Sequence, residues 1–586
     1  MNRVDQFGAL FEQWQGKGLD RRLFLRRVAV GTSAATLSAI MTACGGSAAS
    51  TATSAPASPT KIAGTAATQG SPTQGNPTPL AQTVGTAAAN PNPAPTAAAF
   101  VDKEFLVALN AEPPTLDVHN TGSNAALGVF KCLYEGLVSL DEKMRVVNLL
   151  AASWVPSADA KEFTFTLQKG VKFHDGTPFN AAAVKDSFDR VLAPDSKLTR
   201  HHFFGDIIDH FEVIDDGTLK LVAKLPFAAM IATLAHPAGG IPSPTALKKY
   251  GDDFGTHPVG TGPFTFVEWV RGDHIGLAAY PDYWNKQIGA AVSKLTIKGI
   301  AEPSALGIAV QAGAVQFAGP IAAPQAAQLK SAQGVVITET DSITGYYVTL
   351  NNTKKPFDNV QVRQALNYGV NKDEVLKAAD LGKGKILDSP LAAGVYGYHG
   401  VKTYTYDAQK AKDLLSQAGL ASGFKSVLWT SATDKDRAVA IQGQLKRIGV
   451  EIEVVQMEGA AISAESAKPV DQSQIQMLMN GFSPSTGDAD LQLRLLYTKT
   501  GWPPTGFNSS FSDNPQVDQY VQQGLMFTDD TKRKEAYAKA QQLLMEDVPN
   551  ILLYAPTYFG AIRDNAGGVL TQPDGVVYLR TAYFKK

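Results

Sequence analysis

What most constrains this chain is a stretch that cannot fold. From Gly45 to Ala99 the sequence is almost wholly Ala, Thr, Pro, Ser, Gly, Asn and Gln, with Lys61 its one charged residue and no aromatic residue. Such a tract buries too little apolar surface to offset the entropy of ordering it, so 45–99 is expected to be a disordered tether. A flexible coil of that length spans roughly 40 Å end to end. Folded structure is therefore expected from about Phe100 onward.

The tether follows an export-like leader. Arg21-Arg22-Leu23-Phe24-Leu25-Arg26-Arg27 precedes the uncharged run Val28 to Ile40, which Gly31, Thr32, Ser33, Thr36 and Ser38 dilute. A bilayer span needs roughly 20 apolar residues, so the run is too short for a stable transmembrane helix. A basic region, a short apolar region and small residues before a cleavage point describe a secretory signal. The arginine pair resembles a twin-arginine signal. Met41-Thr42-Ala43-Cys44 resembles a lipobox, with Met41 where leucine is usual. Residues 1–44 are thus expected to be a lipoprotein signal, and Cys44 to carry the lipid that anchors the exported chain to the cell membrane. A plain signal peptide with an incidental cysteine is the alternative.

Composition narrows the remainder. With 44% hydrophobic and 18% charged residues and a formal net charge of −1, the chain reads as globular and shows no electrostatic footprint for nucleic acid. The second of its two cysteines, Cys132, lies in an apolar helix-like run and is expected to be buried and inert.

Local patterns predict an α/β fold. The segment EFLVAL after Lys103 reads as a strand, and LGVFKCLYEGLV as a helix carrying Leu127, Phe130, Tyr134 and Leu137 on one face and ending near Gly136. Phe163, Phe165 and Leu167 alternate with Thr164 and Thr166 as a half-buried strand does. Asn180 is placed to cap a helix with Val184, Phe188 and Val191 on one face. Asp216-Gly217 marks a hairpin turn, and Ala536, Tyr537, Ala540, Leu543 and Leu544 fall on one helical face.

No catalytic signature stands out: the sequence has no G-x-S-x-G, H-E-x-x-H, phosphate-binding glycine loop or C-x-x-C. His202, Asp206 and His210 would share a helical face and could hold zinc or nickel, but the hairpin just downstream puts His210 near a strand. The expectation is therefore no metal, no cofactor and no enzyme. A surface-anchored hydrolase would need a convergent nucleophile and base, which the sequence does not supply.

Nine segments, taken in order, resemble the family-5 extracellular solute-binding proteins of ABC importers, a class that takes up dipeptides, oligopeptides, glutathione or nickel. They are EPPTLDVHN, LYEGLV, FTFTLQKGVKFHDGTPFNAAAVKDSFDRV, HPVGTGPFTFVEW, YPDYW, NNTKKPFDNVQVRQALNYGVNKDEV, YTYDAQKAKDLL, IQGQLKRIGVEIEV and KRKEAYAKAQQLLMEDVPNILLY. The resemblance runs from about residue 103 to the C-terminus. It implies an α/β, bilobed periplasmic-binding-protein-like fold with a hinge and an extra inserted domain. The first lobe would be 103–145 with 258–345 and 552–586, the inserted domain 146–257, and the second lobe 346–551.

The resemblance also implies a monomer that captures a short peptide or other small solute and passes it to importer permease subunits. The alternatives are a nickel chelate, an oligosaccharide or another small solute on the same scaffold, or a receptor that senses peptides without transport. The ligand-reading loop would lie in NGFSPSTGDADLQLRLLY. Peptide-binding relatives carry there an aspartate that pairs with the ligand's α-amino group, and the matching position here is Ser485. The form SPSTGDAD looks like that of a glutathione-type branch. Asp488 or Asp490 could take over the charge, or could instead cap the following helix. Ser123, Asn124, Tyr346 and Phe482 complete the expected ligand contacts, with Trp429 a further aromatic that could serve pocket or core.

Overall fold

A computed structural model describes residues 99–402 and 404–586. The expected signal, the lipidated Cys44 and the tether up to residue 98 lie outside the described residues. No helix among the described residues is long and apolar enough to cross a membrane.

Two large sheets organise the chain. The first has eight strands and is centred on Val101–Leu109, which pairs in parallel with Val292–Gly299 on one side and Phe317–Ile321 on the other. Antiparallel strands Phe264–Val270, His274–Ala279, Val335–Asp341 and Tyr554–Arg563 extend it, and the short Gly384–Ile386 pairs with the last of these. The second has five strands: Val450–Gln456, Phe424–Thr430, Met477–Phe482, Gly345–Leu350 and Asn550–Leu552, in that order. Two short passages join the sheets directly, Ser342–Thr344 and Leu553, and between them the chain returns to the first sheet through Gly384–Ile386.

A third, four-stranded antiparallel sheet is built from Ala151–Pro156, Glu162–Leu167, Thr218–Ala223 and Ile208–Asp215. Phe163, Phe165 and Leu167 point inward as their alternation requires. Asn180 caps the helix Ala181–Leu192 by accepting from the Ala183 N–H, and Val184, Phe188 and Val191 are its buried face. His202 and Asp206 sit at a short helix while His210 lies on the strand Ile208–Asp215, which breaks the helical spacing of the metal reading. No group of three metal-ligating side chains is arranged to hold an ion among the described residues.

Alternation also decides how the five-stranded sheet is covered. Val348 and Leu350 pack under the helices Val360–Gly369, Ala408–Gln417 and Lys435–Lys446, while Tyr347 faces the opposite layer with Leu493, Leu496 and Tyr537. That opposite layer is continuous with the core of the four-stranded sheet, and a backbone bond from Ala228 N–H to the Leu525 carbonyl at 2.8 Å ties the two.

The helix near the start is shorter than its pattern suggests. It spans Asn124–Leu133 and stops at Tyr134, whose backbone is extended and whose hydroxyl donates to the Leu116 carbonyl at 2.8 Å. Cys132 is buried in it, and burial pushes its thiol up to about 12, out of the nucleophilic range. Glu135, just beyond, draws distant segments together. Its carboxylate accepts from Thr261 at 3.1 Å, Tyr283 at 2.6 Å, Trp284 at 2.7 Å and Arg580 at 3.1 Å. A buried carboxylate is tolerable when paired and fully hydrogen-bonded, and this one is.

Candidate functional site

In open α/β sheets, ligands bind beyond the carboxyl ends of the parallel strands. In the five-stranded sheet the parallel strands Phe424–Thr430, Val450–Gln456 and Met477–Phe482 all end at one edge, and Gly345–Leu350 begins there because it runs antiparallel. Both passages between the large sheets lie at the same edge. Register does the rest: Gly345 pairs with Phe482 and Tyr346 with Gly481, so two expected site residues far apart in sequence become neighbours.

Tyr346 is half-buried, and its ring lies across Gly481. A Cβ at position 481 would stand 2.9 Å from the ring, so a side chain there would have to displace it. The Arg437 guanidinium lies over the Tyr346 ring, 3.9 Å from its centroid. Arg437 enters from the first turn of Lys435–Lys446. It donates to the Tyr554 hydroxyl at 2.7 Å, to Asp434 at 2.9 Å and to Asp380 at 2.7 Å, and Tyr554 in turn donates to Asp380 at 2.6 Å. Two carboxylates thus neutralise this cation. Its place at the site came from no sequence pattern; only the topology brings it there.

Phe482 is half-buried and faces the exposed Phe507 ring at 6.3 Å. Beyond it the loop 483–488 is pinned at several points. Ser485 N–H donates to the Ser483 carbonyl at 2.8 Å, Gly487 N–H to the Pro484 carbonyl at 2.7 Å, and Tyr396 N–H to the Gly487 carbonyl at 2.8 Å. Gly487 has φ +70°, and a Cβ there would meet the Met144 carbonyl at 2.9 Å, so the loop needs glycine twice over. The Ser485 side chain is half-buried and makes no hydrogen bond within the described residues.

The two aspartates of this loop are not free. Asp488 caps the helix Ala489–Tyr497 by accepting from the Asp490 N–H at 2.9 Å, and both its oxygens accept from Arg533 at 3.0 Å. Asp490 binds Arg494 at 2.9 Å, one helical turn on. Both carboxylates are buried, Asp488 held by the helix cap and Arg533 and Asp490 by Arg494. Ser123 is the residue before the helix Asn124–Leu133 and makes no side-chain cap bond, and Asn124 is exposed. They belong to the layer packed on the eight-stranded sheet, and no hydrogen bond joins them to 482–490. Trp429 is half-buried near the end of its strand, at the same edge as Tyr346.

The eight-stranded sheet contributes a second wall. Tyr558 shares a hydrogen bond of 2.6 Å with Thr344 in the passage between sheets. The turn 572–576 touches both that passage and the loop: Ile343 N–H donates to the Pro573 carbonyl at 2.9 Å, and the Ser483 hydroxyl to the Asp574 carbonyl at 3.4 Å. Aromatic rings, hydroxyls and neutralised charges around a junction of two sheets make a surface suited to enclosing a small solute without covalent chemistry.

Comparison with known proteins agrees with this geometry. The family model of the bacterial extracellular solute-binding proteins, family 5 (middle), matches residues 145–504. The chain is 36% identical over 476 residues to the glutathione-binding protein GsiB of Pectobacterium atrosepticum, covering 80% of this chain and 92% of that one. Among solved structures it is similar to the ABC transporter-associated periplasmic binding protein DppA of Helicobacter pylori in complex with the peptide STSA. That match has a TM-score of 0.71 and 26% identity, and covers 83% of this chain and 98% of that one. It is also similar to the binding protein AgaA in complex with agropinic acid, with a TM-score of 0.70, 26% identity and 83% and 99% coverage. The fold, the nine ordered segments and these matches together establish that the chain belongs to the family-5 extracellular solute-binding proteins, which serve ABC importers.

Proposed function

We propose that this chain captures a short peptide, of glutathione type, outside the cytoplasm and delivers it to the permease subunits of an ABC importer. Diacylglycerol on Cys44 holds it at the membrane, and the working unit is a monomer. The first lobe is 103–145 with 258–345 and 552–586, the inserted domain is 146–257 and the second lobe is 346–551. What supports this division is that the two short passages Ser342–Thr344 and Leu553 join strands of one large sheet directly to strands of the other. A ligand touching both lobes shifts the open–closed equilibrium, because only the closed form gathers contacts from both. Tyr346, Phe482, Ser485, Ser123 and Asn124 supply those contacts, while Asp488 and Asp490 hold the loop in shape.

The observation that carries the peptide reading is the loop itself. At a rigidly pinned position it offers a hydroxyl, Ser485, with no protein partner, in a chain 36% identical to a glutathione-binding protein. A second reading keeps the scaffold and changes the ligand to another small solute. It is favoured by the arginines that occupy both loop aspartates and by the similarity to a protein that binds agropinic acid.

Thermal scans separate the two. The full chain, purified in detergent and stripped of carried ligand by unfolding and refolding, is heated with dipeptides, tripeptides, glutathione, nickel with histidine, or oligosaccharides. A ligand at 100 times its Kd adds about 2.7 kcal/mol of stability, which a melting curve resolves. A rise with glutathione or short peptides supports the proposal. A response confined to nickel or sugars rejects the peptide and leaves the second reading.

A further inference from the structure

Asp574 carries a carboxylate whose environment is incomplete. It is 4% exposed, and one oxygen accepts from the Val576 N–H at 3.0 Å. The other, Oδ2, is buried and has no hydrogen-bond donor among the described residues. Buried polar atoms without a partner are rare in native proteins, and an unpaired buried carboxylate is among the most costly.

The groups around it do not close the gap. The Lys131 charge acts on it from a distance, but the ammonium is hydrogen-bonded to Gln572 and lies over the Tyr578 ring, and no ion pair joins the two among the described residues. Arg580, beyond Lys131, is committed to Glu135 and Tyr283. The Tyr558 hydroxyl is bonded to Thr344. The carboxylates of the loop and of the Arg437 cluster are already matched: Asp488 by Arg533, Asp490 by Arg494, and Asp380 and Asp434 by Arg437.

Position gives the missing donor its chemistry. Asp574 sits in the turn 572–576, whose backbone carbonyls accept from Ile343 in the passage and from the Ser483 hydroxyl in the loop, two residues before Ser485. Serine at 485 leaves a peptide's ammonium without the carboxylate that peptide-binding relatives place in this loop. We propose that Asp574 accepts the ligand's ammonium group through Oδ2, so that this chain reads a free amine from the opposite wall of the cleft. The inference rests on the peptide reading above and names the group that reading leaves unmatched. Burial raises the carboxyl's pKa, as expected for a carboxylate awaiting a cation.

The test pairs each probe with its acylated form: glutathione with N-acetylglutathione, and Ala-Ala with N-acetyl-Ala-Ala, titrated calorimetrically into the full chain and its Asp574→Asn variant. The expected result is that the parent chain prefers the free amine by roughly 10- to 100-fold, the range of a hydrogen bond to a charged group, and that the variant loses this preference. The variant should also melt, without ligand, at the parent's temperature or above, because it removes an uncompensated charge while keeping the shape. Equal affinity of the parent for amine and acetylated forms overturns the inference and leaves the peptide reading intact. So does a preference that survives in the variant. A variant that melts lower and binds normally assigns Asp574 to Lys131 as a structural counter-charge, which also overturns it. If the parent binds no amine-bearing probe, the peptide reading itself fails and the inference falls with it.

Discussion

Arg533 grips Asp488 through one nitrogen, Nη2, which stands 3.0 Å from each carboxylate oxygen, in an interior where both side chains are nine-tenths buried. The same guanidinium donates to the Gly524 carbonyl at 2.9 Å and to the Tyr537 hydroxyl at 3.1 Å. One ion pair therefore joins the end of the loop 483–488 to the helices Pro515–Met526 and Asp530–Asp547. Removing one partner strands the other charge in a dry site. Arg533→Met is expected to cost about 3–5 kcal/mol in urea unfolding, whereas breaking an exposed pair such as Lys425 with Glu451 is expected to change the midpoint little. Similar losses at both sites would mean that the buried pair is not dry.

The stacking of Tyr346 on Gly481 makes a separate prediction. Gly481→Ala puts a methyl group 2.9 Å from the ring and forces the ring or the strand to move, at a cost of about 1–3 kcal/mol. Because Arg437 lies over that ring, ligand affinity measured by calorimetry is expected to fall by more than the change in melting temperature accounts for. Unchanged affinity would remove Tyr346 from the ligand surface.

Ser485→Asp restores a carboxylate to the loop. Dipeptides with a free α-amino group are then expected to bind roughly tenfold more tightly, with N-acetylated forms unchanged, as a charge-assisted bond requires. If both forms gain or neither does, position 485 does not face the amine.

Acid sensitivity should come first from histidine. His119 is fully buried beside Phe188 and Phe204, neither ring nitrogen has a partner among the described residues, and burial holds its pKa down to about 4. The unfolded chain binds a proton there below about pH 6.5 that the folded chain refuses, so stability is complete above that pH and is lost as pH falls toward 4. At pH 5 this one group should cost about 2 kcal/mol relative to pH 7. His174, also held down to about 4 by burial, acts in the same window. His119→Phe should flatten the dependence of the urea midpoint between pH 7 and pH 5; an undiminished slope would assign it to other groups.

The lipid anchor can be tested without reference to the ligand. Cys44→Ala is expected to move the exported chain from the membrane fraction to the soluble fraction while its ligand affinity stays the same. Retention of the variant at the membrane would show that something other than a lipid on Cys44 holds it.

Legibility in the sequence followed the range of the forces. Elements fixed by local periodicity and capping were readable: the strand Glu162–Leu167, the Asn180 cap, the Asp216-Gly217 hairpin and the long helix Asp530–Asp547. The helix Asn124–Leu133 was overextended because its pattern runs on through Tyr134, and a tertiary hydrogen bond to Leu116 ends it. At the site, Asp490 with Arg494 is an i,i+4 pair and open to a reader of the sequence. Asp488 with Arg533, forty-five positions apart, is not.

The sequence by itself determined the family and the α/β alternation, because each is a matter of spacing or ordered motifs. Only the tertiary structure decided which charges are spent and which are left over. Strand register set Tyr346 beside Gly481 and Phe482, helix packing delivered Arg533 to Asp488 and Arg437 to Asp380, and the turn 572–576 left one oxygen of Asp574 without a donor among the described residues. Those pairings depend on contacts between segments scores of residues apart, and no local pattern encodes a contact whose partner it does not contain.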